Sequence, residues 1–323
     1  MPPLYDCLCL GNIVADHVCA PVERLPASGE LVMTRRLSLS IGGCASNVAV
    51  DLAKLGLRAA VVGRVGADPL GRYLKEALAE AGTDVTHVSA SDVDQTSATL
   101  VINVVGEDRR FIHDVGGNAA LDGSEVTDEM VRASRAIYVG GFLIMPRLTG
   151  ANVARIFRMA RRAGIPTLLD VVLSGPASAH ERDELAEVLP FTDYFLPNHD
   201  EARLLTDSDD PWEQAERFCN AGADTVVITC GRDGAVLRQG ELRLRGAAYT
   251  VPFVDGTGSG DAFSAGYIDA LLQGLSPEKC LQNGSALGAS CVQAAGATTG
   301  VFDRPALQTF LQAHPLSIER LCR

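Results

Sequence analysis

The chain is 323 residues long, 47% hydrophobic and 21% charged, which suits a globular protein with a sizeable core and excludes a disordered one. Its formal charge of −12 argues against a nucleic-acid backbone or an anionic membrane as the main partner. A phosphate ligand stays open, because local backbone N–H groups and a cation can hold one, and the absence of a long apolar run predicts no transmembrane helix.

Residues 1–10 contain Asp6 and lack a basic region, so they read as the approach to a first strand over 7–10 and not as a signal peptide. A helix is expected over 46–55, a strand over 59–62 and a helix over 70–81. Strand 136–139 and helix 151–163 follow, then strands 167–169 and 194–196, helix 215–221 and strand 225–229. Helices over 261–273, 277–295 and 305–313 close the chain. Most of these strands are short continuous apolar runs, and their alternation with helices predicts a mainly parallel sheet covered on both faces. Gly56, Gly82, Gly164 and Gly222 sit where left-handed C-terminal caps belong. Residues 31–41 and 97–115 break the rhythm: polar and apolar residues interleave there, with a turn near Gly106-Glu107-Asp108, predicting a small sheet with one wet face. A lid over a cleft, a side sheet and a dimer contact all fit that pattern. No internal repeat or linker interrupts the chain, so one domain over 1–323 is expected. The nine cysteines form no C-x-x-C pair and no Cys/His ligand spacing, which predicts buried reduced thiols and a cytoplasmic location.

The most informative segment runs Asp255-Gly256-Thr257-Gly258-Ser259-Gly260-Asp261. Its alternating glycines permit a turn that β-carbons would obstruct, and a helix with Phe263, Gly266, Ala270 and Leu271 on one packed face follows. Such a turn aims unpaired N–H groups outward at the positive end of a helix dipole, forming an anion hole suited to a transferring phosphoryl group. Asp261 at its edge could take a proton from an attacking hydroxyl, or could simply complement the dipole. No lysine follows the glycines, so this is not a Walker A loop, and its spacing and position differ from the dinucleotide fingerprint.

This segment, with Gly42-Gly43-Cys44-Ala45-Ser46-Asn47 and Val62-Gly63-Arg64-Val65-Gly66-Ala67-Asp68, resembles the two signatures of the ribokinase-like (PfkB) carbohydrate kinases, in the same order. The resemblance implies a three-layer α/β/α sandwich with a mainly parallel central sheet and a small projecting lid from about 12–20, 31–41 and 97–117. It implies Asp261 as catalytic base with Gly258, Ser259 and Gly260 in the anion hole. Asn12, Asp16, Gly42, Gly43 and Asn47 would bind substrate; turn roles for Asn12 and Asp16 and a helix cap for Asn47 are the alternatives. Arg110 is the candidate lid arginine among Arg109, Arg110 and His113, against a merely solvated face. Asn198 and Glu201 resemble the motif that places Mg²⁺ through water, with a plain helix cap as the competing role. Thr229, Gly231, Gly234 and Asn283 would border ATP, together with Asn198, Gly258 and Gly260. Asp255 would stand beside a monovalent-cation site such as K⁺. Two departures are visible: Gly256 replaces a usual hydroxyl residue, and Val171-Val172-Leu173 after Asp170 lacks the Asn and Arg common in sugar kinases.

The uncharged Cys44, Ala45 and Ser46 favour an acceptor without a phosphate: a pentose, ketohexose, keto-deoxy sugar acid or nucleoside. The low aromatic content leans toward a free sugar, phosphorylated on a primary hydroxyl by ATP and Mg²⁺. A nucleoside kinase and a non-catalytic sugar or nucleotide sensor of the same fold are the alternatives, and a homodimer through the lid strands is open.

Overall fold

The computed structural model describes residues 3–107 and 109–321; Asp108, in the expected turn, lies outside them. Its strands are β1 (Cys7–Gly11), β2 (Val14–Val22), β3 (Leu37–Gly42), β4 (Ala59–Gly66), β5 (Val88–Ser91), β6 (Ala98–Val104), β7 (Arg110–Asp114), β8 (Ile137–Phe142), β9 (Thr167–Val171), β10 (Tyr194–Phe195), β11 (Thr225–Thr229), β12 (Ala235–Gln239), β13 (Leu242–Gly246) and β14 (Ile318–Arg320). The helices are α1 (Cys44–Lys54), α2 (Pro69–Glu80), α3 (Asp128–Arg132), α4 (Gly150–Ala163), α5 (Ala179–Val188), α6 (His199–Thr206), α7 (Pro211–Asn220), α8 (Ser259–Leu272), α9 (Pro277–Cys291) and α10 (Arg304–Ala313).

Ten strands form one sheet in the order β14-β13-β12-β11-β10-β9-β8-β1-β4-β5, parallel from β11 through β5 and antiparallel beyond β11. Successive side chains of a strand leave on opposite faces, so Cys7 and Cys9 enter one core while Leu8 and Leu10 enter the other. The first core is closed by α1, α2, α8, α9 and α10, the second by α3 through α7, giving three layers. The chain steps outward from β1 to β4 on one side and β8 on the other. That reversal opens a crevice beyond the carboxyl ends of the strands, where α/β sheets receive ligands.

A four-stranded sheet, β3-β2-β6-β7, stands apart, as the interleaved segments predict. Its β2 and β6 run parallel, with β3 and β7 antiparallel at the edges. The expected strand over 31–41 is corrected to Leu37–Gly42: Leu31 and Met33 are 83% and 80% exposed on irregular backbone. The helix expected over 277–295 stops at Cys291, because the Val292 carbonyl instead accepts the N–H groups of Val254 and Asp255, at 2.8 and 3.2 Å. Helix α8 is also corrected. Everything from Ala262 to Ala270 is buried, so it is a core helix packed between α1 and α9 and not a one-faced amphipathic one. Gly56, Gly82, Gly164 and Gly222 all take positive φ, as C-terminal caps require.

Candidate active site

The glycine-rich segment is held shut by one carboxylate. Asp255 Oδ1 accepts from the Thr257 N–H and hydroxyl at 2.9 and 2.8 Å, and Oδ2 accepts from the Gly296 N–H at 3.0 Å. Gly258 caps α8 with φ +77°, and a β-carbon there would lie 2.4 Å from the Ala297 carbonyl oxygen. A β-carbon on Gly260 would meet nothing within 4 Å, so that glycine faces open space. The N–H groups of Gly260 and Asp261, in the first turn, have no carbonyl to bond within the helix.

Asp261 meets α1 across the crevice. The Asn47 amide donates to its Oδ2 at 2.8 Å, so Asn47 is not a helix cap but sits inside α1 facing α8. Cys44 Sγ and carboxylate oxygens of Asp170 and Asp261 lie within 4.8 Å of one another, and the Tyr138 hydroxyl donates to Asp170 at 3.2 Å. Burial pushes the Asp261 carboxyl up, opposed by hydrogen bonds from Asn47 and Cys44. Burial also holds Asp170 well above the usual carboxylate range, with the Glu201 and Asp261 charges adding. Cys44 lies in the Gly42–Asn47 signature and Asp170 just before the departure at Val171, but no local pattern pairs them with each other or with Tyr138: they meet only where β8, β9 and α1 converge.

On the substrate side, Asn12 Oδ1 accepts from the Cys44 N–H at 2.9 Å and thereby caps α1 from a different loop. Gly43, at φ +92°, leaves no room for a β-carbon against the Asn12 carbonyl, 2.5 Å away. A β-carbon on Gly42 would strike the Asp16 carboxylate at 2.1 Å, so the loop backbone lies directly on that acid. Burial pushes Asp16 up to about 7, against a hydrogen bond from Thr99, with the charges of Asp261 and Asp255 adding. Asn118, fully buried and missed in the sequence, clamps the crossover by accepting from the Ile13 N–H and donating to the Ile13 carbonyl, at 3.2 and 2.9 Å.

On the nucleotide side, Asn198 and Glu201 form a reciprocal capping box on α6: each side chain accepts the other's backbone N–H, at 2.9 and 3.0 Å. Glu201 is nonetheless pushed up to about 8, mainly by burial and further by Asp261. Asn198 bridges Thr229 at the carboxyl end of β11. Gly231 has φ +55° with open space at its β-carbon position, whereas a β-carbon on Gly234 would lie 2.0 Å from the Gly246 carbonyl oxygen, so the hairpin requires glycine there. Asn283 is buried in α9, its carbonyl 2.6 Å from where a Gly266 β-carbon would lie, so its backbone forms the α8–α9 contact.

The lid corrects one candidate. Laterally paired residues share a face of a sheet, and Asp16 pairs with Thr99, which pairs with His113. Arg110 pairs with Ile102, one step out of phase, so it lies on the opposite face, where it pairs with Glu107. The arginine that reaches the crevice is Arg109. Its guanidinium stacks over Phe111 at 5.5 Å and places Nη1 2.5 Å from the β-carbon position of Gly256. Gly256 thus lies directly beneath the Arg109 guanidinium.

The model of the pfkB family of carbohydrate kinases matches residues 5–304. A ribokinase of Haemophilus influenzae is 29% identical over 313 residues, covering 94% of this chain and 97% of that protein. A 2-dehydro-3-deoxygluconokinase of Bacillus subtilis is 30% identical over 296 residues, covering 88% and 90%. Among solved structures, Arabidopsis thaliana ribokinase complexed with ribose and ATP aligns with a TM-score of 0.83 at 26% identity, over 97% of this chain and 99% of that one.

Proposed function

This chain belongs to the pfkB family of carbohydrate kinases and is an ATP-dependent sugar kinase; from that premise we propose that it phosphorylates a primary hydroxyl of a small sugar bearing no phosphate, with Asp261 as general base. The observation that carries this reading is the meeting of Asp261, oriented by Asn47 at 2.8 Å, with the open N–H groups at the start of α8. The acceptor sits between Asp16, the Gly42-Gly43 backbone and the inner lid face. Asp261 takes the hydroxyl proton as the oxygen attacks phosphorus, and the Gly260 and Asp261 N–H groups receive the charge on the phosphoryl oxygens, the Ser259 N–H being already given to the Gly256 carbonyl at 3.3 Å. ATP lies beyond, along the ends of β10 and β11, past Asn198, Thr229, Gly231 and α9. The uncharged Cys44, set among Asp170 and Asp261, offers nothing to a phosphate-bearing acceptor.

Asn198 and Glu201 would hold a magnesium ion through water, and they fit one: Glu201, pushed up mainly by burial and further by the Asp261 charge, is an acid that a cation would relieve. When bound, the ion neutralises charge on the transferring phosphates. Potassium near Asp255 would have to share a carboxylate already accepting three hydrogen bonds, and replacing K⁺ with tetramethylammonium in the assay tests it. The described cysteines are free thiols, in keeping with a cytoplasmic location, and no helix among the described residues is long and apolar enough to cross a membrane.

Asp261→Asn is expected to lower kcat about a thousandfold while leaving ATP affinity within about threefold of the parent. ADP release measured over D-ribose, D-fructose, 2-dehydro-3-deoxygluconate and adenosine checks both the base and the acceptor. Near-parental turnover in the variant overturns the assignment.

A further inference from the structure

One face of α1 carries Asn47, Asp51 and Lys54, which follow one another at i, i+4 and i+7. Asn47 reaches Asp261 at 2.8 Å. Two turns further on, the Lys54 ammonium donates to the Thr298 carbonyl, in the irregular stretch 292–303 between α9 and α10. Asp51, between them, is fully buried, and neither of its carboxylate oxygens is hydrogen-bonded among the described residues.

The stretch that Lys54 holds is the wall on which the glycine-rich turn is moulded. The Val292 carbonyl accepts from Val254 and Asp255, and the Gly296 N–H donates to Asp255 Oδ2 at 3.0 Å. Cys291 Sγ lies 3.2 and 3.1 Å from the carbonyl oxygens of Thr257 and Ala297, joining turn and wall from inside. Ala297 occupies the space where a Gly258 β-carbon would stand. The Thr298 carbonyl also accepts the Val301 N–H at 3.2 Å, and two lone pairs let it serve both donors. The bond from the ammonium, being charge-assisted, is the stronger of the two. Without Lys54 the wall loses that tie, and Asp51 is left facing the Asp261 charge with no cation to oppose it.

We propose that Lys54 is a positioning residue for phosphoryl transfer: it fixes the 292–303 wall and, through Gly296 and Ala297, the turn that aims the open N–H groups of Gly260 and Asp261. One helix then sets both halves of the chemistry, the base through Asn47 and the anion hole through Lys54. This rests on the kinase reading of the site. Lys54 stands at the opposite end of α1 from the Gly42-Gly43 loop, so its removal is expected to lower rate and to spare acceptor binding.

The test combines hydrogen exchange over residues 254–261 of the ligand-free protein with steady-state kinetics on the full chain, over D-ribose, D-fructose, 2-dehydro-3-deoxygluconate and adenosine. Lys54→Met, close in size but without charge or donor, is expected to speed that exchange about tenfold and to lower kcat about tenfold, with acceptor KM changed less than about threefold. Lys54→Arg, which keeps charge and donors, is expected to hold both within about threefold of the parent. Asp51→Asn combined with Lys54→Met leaves no buried charge without its partner, shows the same two losses, and serves where Lys54→Met alone does not fold. Arg304→Met is the structural comparison. Arg304 ties the end of the same stretch to the Leu55 carbonyl and to Asp269, and its loss is expected to lower Tm while keeping parental exchange over 254–261 and parental kcat below the transition. Parental exchange and kcat in the variants lacking Lys54, or equal losses in Arg304→Met, overturn the proposal. A parent that releases no ADP with any acceptor overturns the kinase reading instead, and exchange over 254–261 then still decides what Lys54 holds.

Discussion

Single side chains in the crevice carry charges that the fold places at a cost. Asp16 is the clearest case, because its folded-state pKa, about 7, stands above the ordinary carboxylate value. Between roughly pH 4 and 7 the folded state therefore binds more protons than the unfolded one, so this residue makes stability fall as pH rises through that window and constant above it. Asp16→Asn cannot ionise. It is expected to match the parent below about pH 4 and to exceed it by about 2–4 kcal/mol at pH 8. Urea midpoints of the ligand-free proteins across pH check this, and an unchanged difference from pH 4 to 8 contradicts it. The same variant is expected to bind sugar more weakly, since a carboxylate is the stronger partner for a hydroxyl.

At the scale of one element, the start of α8 separates two glycine duties that look alike in the sequence. Gly258 is required by backbone geometry: its φ is +77° and the Ala297 carbonyl blocks a β-carbon. Gly260 is helical and unobstructed. Gly258→Ala is expected to cost about 2 kcal/mol or more of stability, by strain and overpacking. Gly260→Ala is expected to be neutral or stabilising by about 0.5 kcal/mol, yet to depress kcat, because its methyl enters the space reserved for the phosphoryl group. Thermal unfolding with single-turnover kinetics distinguishes them; equal stability of the two variants contradicts the assignment. Local signals of this kind made most elements legible. The helix start is marked by its glycines, and the cap role weighed for Asn198 is realised as a capping box with Glu201 on α6, whereas the Ser178/Glu181 box of α5 stands before a helix with no strong apolar stripe to announce it.

Across the whole molecule, the lid has two unlike faces. The inner one carries Asp16, Thr99 and His113. The outer one shows Leu37, Leu39, Leu100 and Ile112, between 37% and 73% exposed. An apolar sheet face of this kind invites a partner sheet, and we propose that a second copy of the chain covers it. Light scattering is expected to give a dimer for the parent and a monomer for Leu100→Glu combined with Ile112→Glu. A monomeric parent at micromolar concentration contradicts it.

The sequence by itself determined the alternation of elements, hence the covered parallel sheet, because apolar runs and caps act over a few neighbouring residues. Asp261, Asn47, Asp16 and the glycine loops were marked by the resemblance that the two signatures carry, since the residues alone left turn, cap and dipole roles open. Only the tertiary structure decided which lid arginine faces the crevice. Strand side chains alternate, so a one-residue phase difference sends Arg110 outward and leaves Arg109 over Gly256. It likewise brought Cys44, Tyr138 and Asp170 to Asp261, and set Thr99 and His113 in register beside Asp16, with Thr99 bonded to His113. Those meetings depend on strand order and register between segments far apart in the chain, and no local pattern encodes them.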